Sequence, residues 1–474
     1  MVGTARDFRI SGTRLSRLLA QRLDRAPDDE ADPDPVALVR HLLAVQAQDP
    51  AAFPLAVRAR APGTTAEDLA KAREARTIVR CWGPRGTLHL VAADDLPWLV
   101  PLVTPGPAGS VRRLRQLGVN AGADDVVGAA DTALRGQGPL TKTRLGERLA
   151  AAGLPATGQA IVHAAFLAAR RGLVVLGPEH DGKPTYVHAA DWLGAPLPAE
   201  PRGGRDAALR MLVTRYRAAH EPCTAADLAA WSGLPPGEVQ RAWAQARAGA
   251  QARAGAPDGG PAAAQARARA AAAARIERPS VRLVPAFDEY LLGWQNRDHA
   301  VPEAFARLIH PGGGIIRSAV LIDGLAAGTW QARRVAARVD ITVQPFAPLP
   351  EDVLPRLAAE AAGIGAFLGL PARLSLTFPR KRLVKPFTRR FRGNVPALRR
   401  CRGVSAAARR RPGSRCGGES GGGSRLSSRA NWGDLPVPSG LRDRASRPAA
   451  APGSDGCGNH PHTTGWLPHP SGRP

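Results

Sequence analysis

Two carboxamide side chains, Gln46 and Gln48, stand one residue apart in the segment VQAQDP, just past an apolar helical pattern. Residues at i and i+2 do not share a face of a helix, but they do in an extended strand or a loop. Pro50 biases Asp49 away from helix, so we expect both glutamine side chains to point into the same space. There they would supply neutral donors and acceptors that hold a water molecule. The alternative is that they only cap a helix end and contact solvent.

Other catalytic signatures are missing from the sequence. No serine-hydrolase, P-loop or Rossmann motif stands in a usable context, and Gly312-Gly313-Gly314 follows a helix rather than a strand. The five cysteines are widely spaced and form no CxxC pair, which argues against a disulfide framework and a structural zinc site. We therefore predict no metal and no cofactor.

The glutamines lie between a helical pattern and two β segments. Residues 11–27 carry one apolar helical face, and residues 34–47 repeat it, with Asp34 as N-cap and Pro35 in the first helical position. We expect Pro50 and Pro54 to end this helix. Residues 77–91 read as two strands around Gly83-Pro84.

Two later regions have winged-helix patterns. In residues 139–188, Thr141 caps a short helix, a turn at Gly153 leads to a second helix that ends at Gly172, and a hairpin follows with its wing at 177–184. Residues 208–245 resemble a second unit, with a capping box that starts at Thr224.

We predict an α+β fold of tandem winged-helix (helix-turn-helix) units, a β-rich C-terminal subdomain and a disordered tail. Within the β-rich C-terminal subdomain, residues 281–292, 315–330 and 336–345 are β-rich and residues 350–368 form a helix. The predicted domains are 1–125 with the two glutamines, 126–200, 201–280 with a low-complexity insert at 245–275, 281–375, and the tail 381–474.

Charge is concentrated in the tail. The chain of 474 residues carries a formal charge of +25; residues 381–474 hold 19 Lys/Arg and 4 Asp/Glu, which leaves +10 for residues 1–380. A basic body suggests a polyanionic partner such as nucleic acid. The tail loses all hydrophobic period, which predicts disorder, and its composition resembles a GC-rich gene translated out of frame.

The sequence favours a cytoplasmic protein. No run of about 18 apolar residues predicts a transmembrane helix. The first ten residues, MVGTARDFRI, carry charges where a signal peptide needs an apolar stretch, so we do not expect export.

Three blocks resemble one known family. The segment LLAVQAQDP resembles the glutamine-x-glutamine motif of the AlkZ-like winged-helix DNA glycosylases, a family that also includes YcaQ-type proteins. The block Arg80-Cys81-Trp82 with RGTLHLV at 85–91 resembles a second family motif. The segment LVPAFDEYLLG at 283–293 resembles a C-terminal PAFDxYLLG strand, and 324–330 fits the hairpin after it. The resemblance covers roughly residues 8–370.

The resemblance implies tandem winged helices around a basic DNA channel and excision of N-alkylated purines, including unhooking of interstrand crosslinks. By position, Gln46 and Gln48 match the catalytic pair. YcaQ-type members have Asp at the second position, so Gln48 places this chain closer to the AlkZ branch. We expect a monofunctional, monomeric enzyme on double-stranded, alkylated DNA in the nucleoid, without a Schiff-base step because no Lys is near the motif.

Several other residues have two interpretations each. Arg85 contacts a DNA phosphate or pairs with a carboxylate, and His89 faces the DNA channel or is structural. Arg170 and Arg171 contact phosphates or only complement a helix C-terminus. Asp49 is a base or a turn residue. Tyr290 and Trp294 are core residues or stack on a base.

Two rival functions remain open at this point. A non-catalytic winged-helix regulator would fit the two helical units equally well, and it would dimerise on palindromic sites. The other rival is a degenerate gene product that its altered C-terminus has disabled.

Overall fold

The computed structural model describes residues 11–24, 34–254 and 279–378. Within 249–254 it describes the backbone only. The predictions of disorder and of a frameshifted origin for residues 381–474 lie outside the described residues, as does most of the 245–275 insert. Both α-helices and β-strands build the described part, so the α+β fold class is confirmed at that level.

The N-terminal elements surround the first strand. They are α1 Gly12–Ala20, α2 Pro35–Leu42, β1 Val45–Gln46, α3 Phe53–Arg58, α4 Ala66–Glu74, β2 Ile78–Trp82, β3 Leu88–Ala92, α5 Leu96–Val103 and α6 Ala108–Gln116. Asp34 caps α2 by accepting from Val36 N at 2.7 Å, as predicted.

The prediction that Pro50 and Pro54 end the second helix is wrong. The helix α2 ends at Leu42, because Leu43 takes a left-handed φ of 70° that turns the chain into β1. Pro54 instead lies in the first turn of α3, where its missing N–H leaves no helical hydrogen bond unmade.

The middle elements complete a six-stranded sheet. They are α7 Ala123–Leu134, β4 Leu140–Thr141, α8 Lys142–Ala151, α9 Gln159–Arg170, β5 Val174–His180, β6 Lys183–His188, α10 Ala189–Leu193, α11 Arg205–His220, α12 Ala225–Ser232 and α13 Pro236–Ala254. The strand order is β1-β3-β2-β5-β6-β4, which leaves β1 at an edge. The hairpin β5–β6 is longer than predicted, since its strands run through most of 177–184 and turn at Asp181-Gly182.

The predicted helix caps in this region are present. The Thr141 hydroxyl accepts from Arg144 N, and Thr224 and Asp227 form a reciprocal capping box at α12. Among the described residues of 205–254 the structure has three helices and no strand.

The C-terminal elements form a second sheet. They are β7 Val281–Val284, α14 Glu289–Leu292, α15 Ala306–Ile309, β8 Ala319–Ile322, β9 Leu325–Val335, β10 Arg338–Pro345, α16 Val353–Leu368 and β11 Ala372–Leu376. The strand order is β11-β10-β9-β8-β7, and β11 joins β10 in parallel.

The prediction that 281–292 is β-rich holds only at the start of the segment. The strand β7 ends at Val284, and Asp288 then caps the short helix α14 by accepting from Tyr290 N at 2.9 Å. The local cap overrides the β propensity of the apolar residues.

Two buried ion pairs connect the N-terminal helices to the C-terminal part. Arg60 makes a bidentate pair with Asp288, at 2.7 and 2.8 Å, and both side chains are 0% exposed. Arg58 pairs with Glu360 of α16 at 2.8 Å and is equally buried. The first pair holds the residues after α3 against the start of α14, and the second holds the end of α3 against α16.

Candidate active site

Gln46 sits at the free edge of the first sheet. Its neighbour Ala47 donates its N–H to Leu88 O in β3, at 2.7 Å. Because successive N–H groups of a strand point in opposite directions, the Gln46 N–H points away from β3, and Glu289 Oε1 accepts it at 2.9 Å. The Gln46 side chain is half-buried, and its Oε1 is buried with no hydrogen-bond partner among the described residues. The site therefore holds an acceptor that is unsatisfied in the folded chain.

Gln48 extends the strand pairing with its side chain. Its Oε1 accepts from Leu88 N at 3.1 Å, although the residue itself is exposed. One glutamine of the pair is thus fixed against β3 at the surface, and the other reaches into the buried side of the site.

A buried arginine fixes the backbone between the two glutamines. Arg80 Nε donates to Ala47 O at 2.9 Å, and its Nη2 lies 3.5 Å from Gln48 O. Its Nη1 is held by Glu179 at 3.0 Å, and Arg73 pairs with the same carboxylate. Burial lowers the pKa of Arg80, and the charge of Glu179 opposes that effect. The position of the motif therefore depends on contacts from β2 and β5.

Glu289 is a fully buried carboxylate next to Gln46. Its Oε1 accepts from Gln46 N and its Oε2 accepts from Trp231 Nε1 at 3.1 Å. Burial raises the pKa of Glu289, and the two N–H donors and the charge of Arg85 act against that rise.

Arg85 is anchored inside the protein rather than free at its surface. Its Nη1 donates to Trp231 O, and Ala230 O lies at 3.4 Å, so the guanidinium binds carbonyls at the end of α12. Burial lowers its pKa, and Glu289 opposes that shift. The sequence suggested a DNA phosphate or a carboxylate as the partner of Arg85. Neither describes this contact, because the observed partners are backbone carbonyls.

His89 lies directly across from Gln46 in the β1–β3 ladder, so both side chains are on one face. It has no exposed surface, which leaves the predicted DNA contact without access and favours the structural alternative. Its Nδ1 lies 3.0 Å from Thr87 O and must carry the proton, because a carbonyl only accepts. Burial, together with Arg85, lowers the pKa of His89 to about 3, so the ring is neutral. Its Nε2 is a second buried acceptor with no partner among the described residues.

Strained backbone precedes three of the segments that contribute to the cluster. Leu43, Arg85 and Phe287 have φ values of 70°, 57° and 59° although none is glycine. They come shortly before Gln46, His89 and Glu289 respectively. Such conformations cost about 1–3 kcal/mol each and concentrate at functional sites.

The remaining predicted residues lie apart from this hydrogen-bonded cluster. Arg171, at the C-terminal end of α9, is exposed and pairs with Asp124 at 2.6 Å, while the Nε of Arg170 is buried and has no hydrogen-bond partner in the described part of the chain. Asp49 accepts from Ala51 N at 2.8 Å, as a turn residue does. Tyr290 and Trp294 are buried core residues.

Sequence reasoning missed Glu289, Trp231 and Arg80 as parts of the site. Glu289 and Trp231 are far from Gln46 in the chain, and only the fold brings them together. The signal that could have found Glu289 is a pair of adjacent carboxylates inside the apolar segment FDEYLLG.

Within the described ranges, no group of three or more His, Cys, Asp or Glu is arranged to hold a metal ion. None of the helices described there is long and apolar enough to span a membrane.

Fold and site together define an α+β protein with a carboxamide-centred polar site at a sheet edge. The chain belongs to the AlkZ-like DNA glycosylase family, whose model, described as "DNA glycosylase AlkZ-like", matches residues 39–367. It is 24% identical over 370 residues to an interstrand DNA cross-link repair glycosylase of Streptomyces sahachiroi, a match that covers 73% of this chain and 95% of that protein. It is also similar in fold to the solved Streptomyces sahachiroi DNA glycosylase AlkZ, with a TM-score of 0.57, 21% identity, and coverage of 77% of this chain and 98% of that one.

The comparisons confirm the family that the three sequence blocks indicate. The family model also confirms that the chain is an enzyme of the DNA glycosylase class.

Proposed function

We propose that this enzyme hydrolyses the N-glycosidic bond of N-alkylated purines in double-stranded DNA, and that it unhooks interstrand crosslinks formed through such purines. The observation that carries the proposal is the buried, unsatisfied acceptor of Gln46 beside Gln48 at the free edge of β1. The Streptomyces sahachiroi relative is named for interstrand crosslink repair, which supports the crosslink substrate.

A carboxamide pair suits this reaction because the leaving base needs no protonation. A purine alkylated at N7 is already cationic, so the electrons of the breaking C1′–N9 bond neutralise the departing base. What remains is to place a water at C1′ and to stabilise the oxocarbenium-like state. We assign water positioning and cation stabilisation jointly to Gln46 and Gln48, through oriented dipoles that need no metal. The water forms the new C1′–O bond and releases one proton to solvent.

The finer architecture that we propose is a set of tandem winged helices, of which residues 123–188 form the unit with a complete wing. The order α7-β4-α8-α9-β5-β6 supports it, because β4 pairs with β6 and the hairpin β5–β6 follows the second and third helices directly. In this arrangement α9 is the candidate recognition helix, and Arg170 and Arg171 at its end are candidate phosphate contacts.

Arg297 is a further candidate for a phosphate contact. It is half-buried, its Nε has no hydrogen-bond partner among the described residues, and its pKa is lowered by burial and then by the charge of Arg85. A guanidinium near another cation and without a carboxylate to satisfy its Nε is suited to an anion. We propose that Arg297 faces a phosphate beside the damaged nucleotide, and that Arg85, which is anchored to backbone carbonyls, adds its positive charge behind that contact.

Replacement of Arg297 by Ala is expected to weaken binding to damaged and undamaged duplexes alike. The plot of log affinity against log salt concentration should become shallower by about 1, the change expected for one lost phosphate contact. Arg135→Ala is the matched control, since Arg135 is exposed and pairs with Asp131 at 2.6 Å. An Arg297→Ala slope equal to that of the wild type would remove Arg297 from the DNA interface.

The proposed activity is tested with a duplex that carries one 7-methylguanine and a second duplex that carries an N7–N7 guanine crosslink. We expect free base and an abasic site from the first, separated strands from the second, and strand breakage only after alkali. No product from either duplex would contradict the proposal.

The regulator hypothesis predicts different behaviour in solution. A regulator would dimerise on an undamaged palindrome, whereas the proposed enzyme binds damaged duplex as a monomer. Sedimentation of the protein with each duplex distinguishes a dimeric regulator from a monomeric enzyme. Release of base from the damaged duplex would exclude a non-catalytic regulator. A repair role would place the protein at the nucleoid.

A further inference from the structure

Two neighbouring carboxylates, Asp288 and Glu289, are buried in the same turn, but only one of them has a cationic partner. Asp288 has a complete bidentate partner in Arg60. Glu289 is 1% exposed, yet among the described residues no cation lies within salt-bridge distance of its oxygens. Buried carboxylates are almost always paired, because an unpaired charge in the interior is costly. The contrast indicates that Glu289 has a role other than stabilising the folded protein.

The contacts of Glu289 direct it to the catalytic strand. One oxygen binds the outward N–H of Gln46, and the other binds the indole N–H of Trp231. Trp231 is also the residue whose carbonyl holds Arg85. The guanidinium of Arg85 is therefore hydrogen-bonded to a carbonyl. Its charge acts on Glu289 from there without forming a salt bridge with it.

We propose that Glu289 is a positioning residue that fixes β1 through the Gln46 N–H and whose buried negative charge favours the cationic transition state beside Gln46. This inference rests on the proposed function, in which the sugar becomes oxocarbenium-like. A fixed charge in a low-dielectric site acts more strongly on a nearby developing cation than it would in water. Glu289 touches neither substrate nor water in this role.

The charge state of Glu289 gives the proposal a pH signature. The groups that face it are Arg85, Asp288 and Tyr216, with the N–H groups of Gln46 and Trp231. Burial raises its pKa above the ordinary 4.5, so the anion is present above that raised pKa and is lost as the pH falls through it. The rate of base release should therefore have an acidic limb at a pH above that of an ordinary glutamate.

The test is single-turnover base release from a 7-methylguanine duplex between pH 5 and 9, corrected for spontaneous loss of the base. Glu289→Gln should lower the rate at pH 7.5 by about 100-fold, the lower end of the range found for removed electrostatic groups, and should abolish the acidic limb. Affinity for the damaged duplex should not change. Glu351→Gln removes one exposed carboxylate and is the matched control, with wild-type rate and profile expected.

A second variant tests the role without removing the carboxylate. Trp231→Phe deletes the indole N–H that stabilises the anion, so the acidic limb should move to higher pH. Circular dichroism of both variants verifies that they fold. Wild-type rates in Glu289→Gln, or a reduced rate with an unmoved acidic limb, would overturn the inference while leaving the proposed function intact. A wild-type protein that releases no base would overturn both.

Discussion

The double variant Gln46→Ala/Gln48→Ala is expected to lose nearly all base release from 7-methylguanine DNA, with a fall of at least about 10²–10³ in the single-turnover rate. Gln46 holds the unsatisfied buried acceptor, and Gln48 is fixed by Leu88 N at the mouth of the site. Removal of both leaves an attacking water with no oriented partner. The rate is measured with enzyme in excess, so that product release does not contribute.

The single variants should differ in size because the two glutamines differ in burial. Gln46→Ala should cause the larger loss, since the exposed Gln48 can be replaced in part by solvent. Gln48→Asp should retain activity, because Asp occupies this position in YcaQ-type sequences. Exposed Gln137→Ala serves as control for the loss of a carboxamide. Wild-type rates in the double variant would remove both residues from the mechanism.

Local signals allowed much of the framework to be predicted. The caps at Asp34 and Thr224 and the strands on either side of Gly83-Pro84 depend on residues adjacent in sequence, and the structure has them where expected. The resemblance indicated the family that the comparisons confirm, and the roles of Gln46 and Gln48 within it stay predictions. Where a left-handed residue intervened, as at Leu43, the helical pattern continued past the true end of the helix and the prediction failed.

The site itself could be predicted only in part, for a physical reason. Whether the Gln46 N–H meets Glu289 depends on how β7 and α14 pack against the edge of the other sheet, and no local pattern encodes that. His89 alternates with apolar residues in a way that suits either a channel or a core, and only its burial in the folded chain favours the core. Long-range packing therefore determined which charged residues became internal.

Asp288→Ala is expected to lower the free energy of unfolding by about 3–5 kcal/mol, because it leaves Arg60 buried without its partner. Arg60 also binds Gln21 Oε1 at 2.9 Å, and that neutral contact cannot replace the carboxylate. The free energy is measured by urea denaturation followed by circular dichroism. Asp340→Ala, which breaks an exposed pair with Arg338, should leave the midpoint unchanged.

The double variant Arg60→Met/Asp288→Leu distinguishes two contributions to the lost free energy of unfolding: the loss of the Arg60–Asp288 contact and the burial of an unpaired charge on Arg60. Replacement of both partners by apolar residues should recover most of the lost stability, although α14 would still lack the cap that Asp288 gives to Tyr290 N. If the recovered protein folds but releases base slowly, the ion pair matters for the placement of Glu289 against Gln46 as well as for stability. A double variant as unstable as Asp288→Ala would show instead that the cap, and not the charge of Arg60, accounts for the loss.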